Sequence, residues 1–378
     1  MGRLSELYRD ADRFLREYTK GLKPRDVGRV FRREAVDAYR TLLDDHGEEA
    51  RPGLWQQVKV AFLALSYQLS PGRRVLFALA LLMGFLGFWD ADLRIAFLPG
   101  LALDLWELLT PISLLLFVLL LGLELADRIR VRDELEIARD LQQDLLPSGT
   151  PPIPGFTVVH SYRTANTVGG DYYDFLPLPD GRWLLVAGDA SGHGMAAGLL
   201  MVIAKTALEI AAASDSHPEA VARVVHGSLL GTGGNRGFMT LFCGRLDPRT
   251  GELEFVNAGH PFPFLRRVGG EILELGEGSL PLGLPREPRW AATSVQLHPG
   301  DMLLVYSDGM PETVHAVSRE TYGYERLRAH LTRGGSPRAA HDRIQADYAS
   351  FLGDESPTDD QSLLVIGRNP AEPRDQPE

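Results

Sequence analysis

Aspartates stand at the ends of apolar runs. In GDASGHGMAAGLL (188–200), Asp189 follows the run Trp183–Ala187 and precedes an alanine-rich stretch. Asp171 lies in GGDYYDF, Asp308 in VYSDG, and Asp359 and Asp360 open TDDQSLLVI. One such acid is ordinarily a turn or cap residue. A set of them, each at a predicted strand end and most beside glycine or a second acid, points to a shared site. The Asp180–Gly181 turn supplies a register. Read as a two-residue hairpin loop, it pairs Pro179 with Arg182 and sets Asp171 opposite Ala190, at the same end as Asp189. If the strands bearing Asp308 and Asp359 share that sheet edge, the carboxylates converge.

Converging carboxylates repel one another unless a cation lies among them. The donor set is oxygen-rich, and the single cysteine, Cys243, excludes a thiolate cage; this favours Mg²⁺ or Mn²⁺ over zinc. Two ions about 3.5–4 Å apart, activating a water, would hydrolyse a phosphoester. Asp189 is expected to reach metal, and the small residues after it let the Ala190 carbonyl approach. His193 and His260 are assigned supporting roles, behind the ligands or as proton donors to the leaving group. Other phosphate devices are missing: there is no G-x-x-x-x-G-K-[ST], and the loop Gly231–Gly237 has Arg236 where a dinucleotide loop needs glycine.

These acids need a rigid frame. Strands are predicted at 156–163, 171–178, 182–189, 238–246, 252–257, 292–297, 301–307 and 361–367, and helices at 194–213, 217–229, 323–334 and 336–351. Antiparallel strands with segregated helices indicate an α+β fold of stacked sheets covered by helices. Residues 368–378 read as a disordered tail.

Upstream, Val75–Trp89 and Leu108–Leu123 are uncharged and strongly apolar. Each falls short of the roughly 20 residues that span a bilayer, but apolar flanks extend them. Arg73 and Arg74 precede the first run, and Arg128, Arg130 and Arg132 follow the second. The connection carries Asp90, Asp92, Asp104 and Glu107 with a single Arg94. This asymmetry predicts two transmembrane helices over 75–125, both termini cytoplasmic, and a short external loop. The alternative is a buried hairpin of a soluble domain. Residues 1–74 carry 15 Lys/Arg against 11 Asp/Glu and are expected to form a cytoplasmic helical region, with helices at 3–19, 24–45 and 54–69. The net charge of −11 argues against a nucleic-acid partner. The segment 126–150 is expected to be a helical linker. Its apolar positions 131, 135, 138 and 145, with Gln142 at the odd place, fit a short coiled coil that pairs two chains.

The residues then resemble a known family. ELEIARDLQQDLLP (134–147), VGGDYYDF (168–175), GDASGHGMAAGLLM (188–201), FMTLFCGRLD (238–247), NAGHPFP (257–263), PLGL (281–284), LLVYSDGMPE (303–312) and DDQSLLVI (359–366) follow the order and spacing of the bacterial PPM-type serine/threonine phosphatases of the SpoIIE and RsbU branch. The resemblance covers 134–367. It implies a β-sandwich between helical layers over 151–367 and a binuclear Mn²⁺ or Mg²⁺ centre. It makes Asp171, Asp189 and Asp308 catalytic ligands, with Asp189 bridging, adds the Ala190 carbonyl and Asp359, and leaves Asp360 less certain. It further implies phosphoserine or phosphothreonine on a STAS-type anti-sigma-factor antagonist as substrate, and a homodimer through 127–146. Pro311, Thr313 and Ser362 depart from the family pattern. No arginine clearly matches the one with which many relatives hold phosphate, although Arg163 is a candidate. The expected protein is a phosphatase in the inner membrane whose catalytic domain is cytoplasmic. The alternatives are the same fold acting on another phosphoprotein, and a non-catalytic scaffold that binds a phosphoprotein.

Overall fold

The structure, a computed structural model, describes residues 66, 69–88, 94–98, 101–192, 194–230, 232, 237–286, 290–353 and 355–370. The helices expected within 1–65, the site candidate His193 and the last eight residues lie outside the described residues. The chain divides into two compact units, 1–129 and 130–378.

The first unit contains α1 (Pro71–Phe88), a short antiparallel hairpin of β1 (Arg94–Leu98) and β2 (Leu101–Asp104), and the start of α2 (Leu105–Asp144). α2 is one helix through the second apolar run and the linker. The two helices touch through small residues: the Ser113 hydroxyl donates to the Ala80 carbonyl at 2.7 Å, and Gly84 and Gly87 lie against Ser113 and Thr110. Arg73 pairs with Glu124 at 3.2 Å and Asp127 at 2.7 Å. Val75, Leu114, Leu115 and Val118 are exposed. The length and apolarity of α2 from Leu108 suit a membrane span.

The second unit is a helix–sheet–sheet–helix sandwich. One sheet has the order β10–β7–β6–β5–β4: Thr293–Gln296, Glu252–Ala258, Met239–Leu246, Trp183–Ala190 and Asp171–Pro177. The other runs β3–β12–β11–β8–β9: Phe156–Arg163, Gln361–Arg368, Met302–Tyr306, Phe264–Arg266 and Ile272–Glu274. All pairings are antiparallel. Central strands are apolar on both faces, because each sheet packs on its partner and on helices; β5 is buried from Leu184 to Gly188. Tyr173, Phe175, Leu185, Phe242, Val305 and Leu364 fill the space between the sheets.

α3 (Met195–Ser214) and α4 (Pro218–Leu230) cover the first sheet, and α5 (Tyr324–Thr332) and α6 (Pro337–Leu352) the second. α3 is apolar and long enough to cross a membrane, yet Ala197, Met201, Ala204 and Leu208 bury it on the sheet, so it is a core helix. All eight predicted strands and all four predicted helices of this unit occur within two residues of their expected limits. β8 and β9, three residues each, are additional. The tail begins later than expected. β12 extends to Arg368, and the Asn369 N–H donates to the Gly155 carbonyl at 2.8 Å.

Candidate metal centre

Asp171 and Asp189 stand directly opposite each other on β4 and β5. The expected register was one residue off. The hairpin has three loop residues, not two: the Leu178 N–H bonds the Arg182 carbonyl, the Gly181 N–H bonds the Leu178 carbonyl, and Gly181 takes φ +81°. Glycine adopts that left-handed backbone without steric cost, which gives the turn-plus-bulge loop.

The four strands do not share one sheet edge. Asp308 follows β11 and Asp359–Asp360 precede β12, both in the other sheet. The acids meet because the two sheets stack with these ends together. Asp189 feels Asp308, Asp359 and Asp360; with burial, they push its pKa up to about 8. Burial, then Glu312 and Asp359, raises Asp308 to about 6. Asp171, 1% exposed, is driven well above the ordinary carboxylate range by burial and then by Asp189, while the Ser307 hydroxyl opposes this.

Two observations test the fit of a cation. The buried Asp171 Oδ2 has no hydrogen-bond partner. Gly170 leaves an opening: a side chain there would lie 2.7 Å from the Ala190 carbonyl oxygen and 3.1 Å from Asp189 Oδ1. Among the described residues no three His, Cys, Asp or Glu side chains enclose one ion. Mg²⁺-like ions take one or two carboxylates each and keep several waters, so they do not require such an enclosure. The residues present therefore fit divalent ions of this kind.

Backbone bonds hold the carboxylates in place. The Asp360 carboxylate accepts from the Ala165 N–H at 2.8 Å and the Gly170 N–H at 2.5 Å, so it ties the loop before Asp171 to the second sheet. Asp359 is exposed and accepts from the Asp360 N–H at 2.9 Å. Asp360 is thus engaged with backbone, and Asp359 is the freer carboxylate. The Asp189 N–H donates to the Thr240 hydroxyl at 3.1 Å, and Thr240 bonds His260 Nδ1 at 3.0 Å. Burial lowers His260 to about 3, the Tyr306 backbone opposing. A ring held neutral in this way sits behind Asp189. Its turn is closed by Asn257 Oδ1, which accepts from the His260 N–H at 2.9 Å.

Gln142 is where the expectation fails. It is 4% exposed, donates to the Gly169 carbonyl at 2.5 Å and accepts from the Gly169 N–H at 2.8 Å. Leu145 and Leu146 pack against the core beneath α3. The supposed coiled-coil seam is therefore occupied, at 142 and 145, by the chain's own second unit. Periodicity identified the inward face but not what covers it. Thr240, Ser307 and Gln142 were not recognised as site residues, because nothing local marks a hydroxyl or amide that acts through a distant strand. Thr313, one of the departures, is buried and bonds the Gly309 carbonyl at 2.5 Å and the Tyr348 hydroxyl at 2.7 Å. Arg163 ends β3 opposite Gln361 and is exposed.

A two-sheet sandwich with an acidic metal centre at the end of its strands is the architecture of PP2C-type phosphatase domains. The profile of the Stage II sporulation protein E (SpoIIE) family matches residues 179–369, and the chain belongs to this family of metal-dependent serine/threonine phosphatases. Among solved structures, the SiaA PP2C domain of Pseudomonas aeruginosa superposes with a TM-score of 0.56 at 21% identity, covering 64% of this chain and 98% of that one. The chain is 25% identical over 183 residues to the phosphoserine phosphatase RsbU of Bacillus subtilis, covering 48% of this chain and 54% of that protein. It is also 25% identical over 266 residues to Protein IcfG of Synechocystis, covering 63% of this chain and 42% of that one. The chain thus spans about half the length of the curated relatives it matches.

Proposed function

We propose that this protein is a membrane-anchored, metal-dependent protein phosphatase that removes phosphate from serine or threonine of a regulatory protein. One observation carries the reading: buried carboxylates from two sheets converge, and one buried oxygen, Asp171 Oδ2, has no protein partner. Asp171, Asp189, Asp308, Asp359 and the Ala190 carbonyl would hold two Mn²⁺ or Mg²⁺ ions. Such ions neutralise phosphate charge and lower the pKa of water. The protein's own part is positional. Thr240 and His260 fix Asp189, Asp360 and Gln142 fix the loop before Asp171, and Ser307 steadies Asp171. The intact carboxylates favour an enzyme over a scaffold.

The similarity to a phosphoserine phosphatase, RsbU, favours a phosphorylated STAS-type protein as substrate. The exposed apolar faces of α1 and α2, with arginines at their cytoplasmic ends, favour two membrane spans and a catalytic unit inside the cell. Pairing of two chains through 127–146 belongs to the same reading. Its apolar contacts would be the exposed Val131, Ile137 and Leu141, since Gln142 and Leu145 face inward.

The test is phosphate release from a phosphoserine protein or peptide with and without Mn²⁺. Activity should require the metal, and Asp189→Asn and Asp308→Asn should each lower turnover by at least about a hundredfold, because loss of groups behind the ligands alone costs about 10–100-fold. Near-wild-type turnover in both variants at saturating Mn²⁺ would refute the reading.

A further inference from the structure

A cleft of about 410 Å³ opens beside the metal centre, within the size range of ligand sites. Asp308 and Thr240 are among its lining residues, so it borders the carboxylate cluster. Its walls are aromatic: Phe262, Phe264, Tyr306 and Tyr324. The rings are held in place. Phe264 and Tyr306 stack at 5.4 Å, Tyr306 and Tyr324 lie 6.1 Å apart, and the Tyr306 hydroxyl donates to the Phe262 carbonyl at 3.0 Å. Glu274 and Glu312 add negative charge, and the lining contains no lysine or arginine. Glu312 accepts from the Tyr324 hydroxyl at 3.0 Å. Arg328 reaches Glu274 from outside at 3.7 Å, with both side chains about half exposed.

His260 also lines the cleft. It is 3% exposed, and the Tyr306 backbone lies against its ring.

From these features we infer that the cleft is a specificity subsite for a cationic residue, lysine or arginine, next to the phosphorylated residue of the substrate protein. This rests on the phosphatase reading above. The ammonium or guanidinium group lies against the exposed ring of Tyr324 and between Glu274 and Glu312. Aromatic faces attract cations electrostatically, and two nearby carboxylates add to this. An acidic flanking residue meets repulsion in the same place, so the site selects among phosphoproteins by charge.

The test compares kcat/KM for three phosphoserine peptides with Lys, Ala or Glu on both sides of the phosphoserine, using the full-length protein with Mn²⁺. The wild type should prefer Lys over Ala by about 5-fold, the effect of one cation–π contact and a rim ion pair, and should disfavour Glu. Glu274→Gln with Glu312→Gln should bring the Lys/Ala ratio close to 1. Glu274→Lys, at an exposed rim position, should bring the ratio to 1 or below without disturbing buried residues. Equal rates for all three peptides with the wild type, or an unchanged ratio in both variants, would overturn the subsite and leave the phosphatase reading standing. Hydrolysis of none of the peptides would overturn both.

Discussion

Replacing Gln142 by methionine keeps its volume and removes both of its bonds to Gly169. Gly169 is buried, so its N–H and C=O would be left without partners. Each unsatisfied buried group costs about 1–3 kcal/mol, and contact with the Met201 sulfur, now 3.3 Å from the amide, survives the change. The two groups together cost about 2–6 kcal/mol. For a unit of this size that lowers Tm by at least about 4 °C. The effect should reach the metal. Gly169 precedes Gly170, whose N–H holds Asp360 and whose carbonyl accepts from the Ala190 N–H at 3.1 Å. Thermal unfolding and Mn²⁺ titration of full-length Gln142→Met should show lower Tm and weaker Mn²⁺ binding together. Gln142→Glu should be at least as damaging, because a carboxylate cannot donate to the Gly169 carbonyl. If Gln142→Met unfolds within about 2 °C of wild type and binds Mn²⁺ equally well, Gln142 does not hold the loop and the reasoning fails.

Other outcomes follow from the same geometry. His260 has a folded pKa of about 3 against 6.5 when unfolded, so its contribution to stability is complete above 6.5 and lost as pH falls towards 3. At pH 5 the loss is about 2 kcal/mol, and a denaturant series should show His260→Gln lacking this part of the acid destabilisation. For Asp189 the raised pKa of about 8 reverses the sign: without metal, its stabilising contribution is present below pH 4 and lost as pH rises through 8. Asp189→Asn should therefore raise the Tm of the metal-free protein at pH 8 while abolishing the shift that Mn²⁺ produces in the wild type. For topology, Asp92→Cys should be labelled from outside the cell, and Arg40→Cys and Pro370→Cys should not; fully buried Cys243 gives no background. Extraction of the full-length protein in salt without detergent would contradict the two spans.

Much of this architecture was legible from residue patterns, and for identifiable reasons. The strands at Asp189, Asp308 and Asp359 contain continuous apolar runs, which betray strands buried on both faces, and the strand that Asp171 opens is broken only by Asp174. The helices after Gly194 and Ser336 were visible from their punctuation; Ser336 caps α6 by accepting from the Ala339 N–H at 3.2 Å. What escaped was non-local. β8 and β9 are three residues each, too short for an alternating pattern to register. The pairing of Asp171 with Asp189 hinged on whether Gly181 closes a two- or a three-residue loop, a choice that its local sequence leaves open. That the acids come from two stacked sheets depends on which strands pair, which no single segment encodes. Gln142 looked like a flaw in a helical seam because its partner, Gly169, is 27 residues away and offers only backbone.

The most direct test of the metal centre is calorimetric titration of the full-length protein with Mn²⁺. The wild type should bind two ions per chain, and Asp171→Asn and Asp189→Asn should each lose at least one of them while keeping a cooperative unfolding transition. Absence of Mn²⁺ and Mg²⁺ binding by the folded wild type, or unchanged stoichiometry and affinity in both variants, would contradict the assignment of these carboxylates as metal ligands.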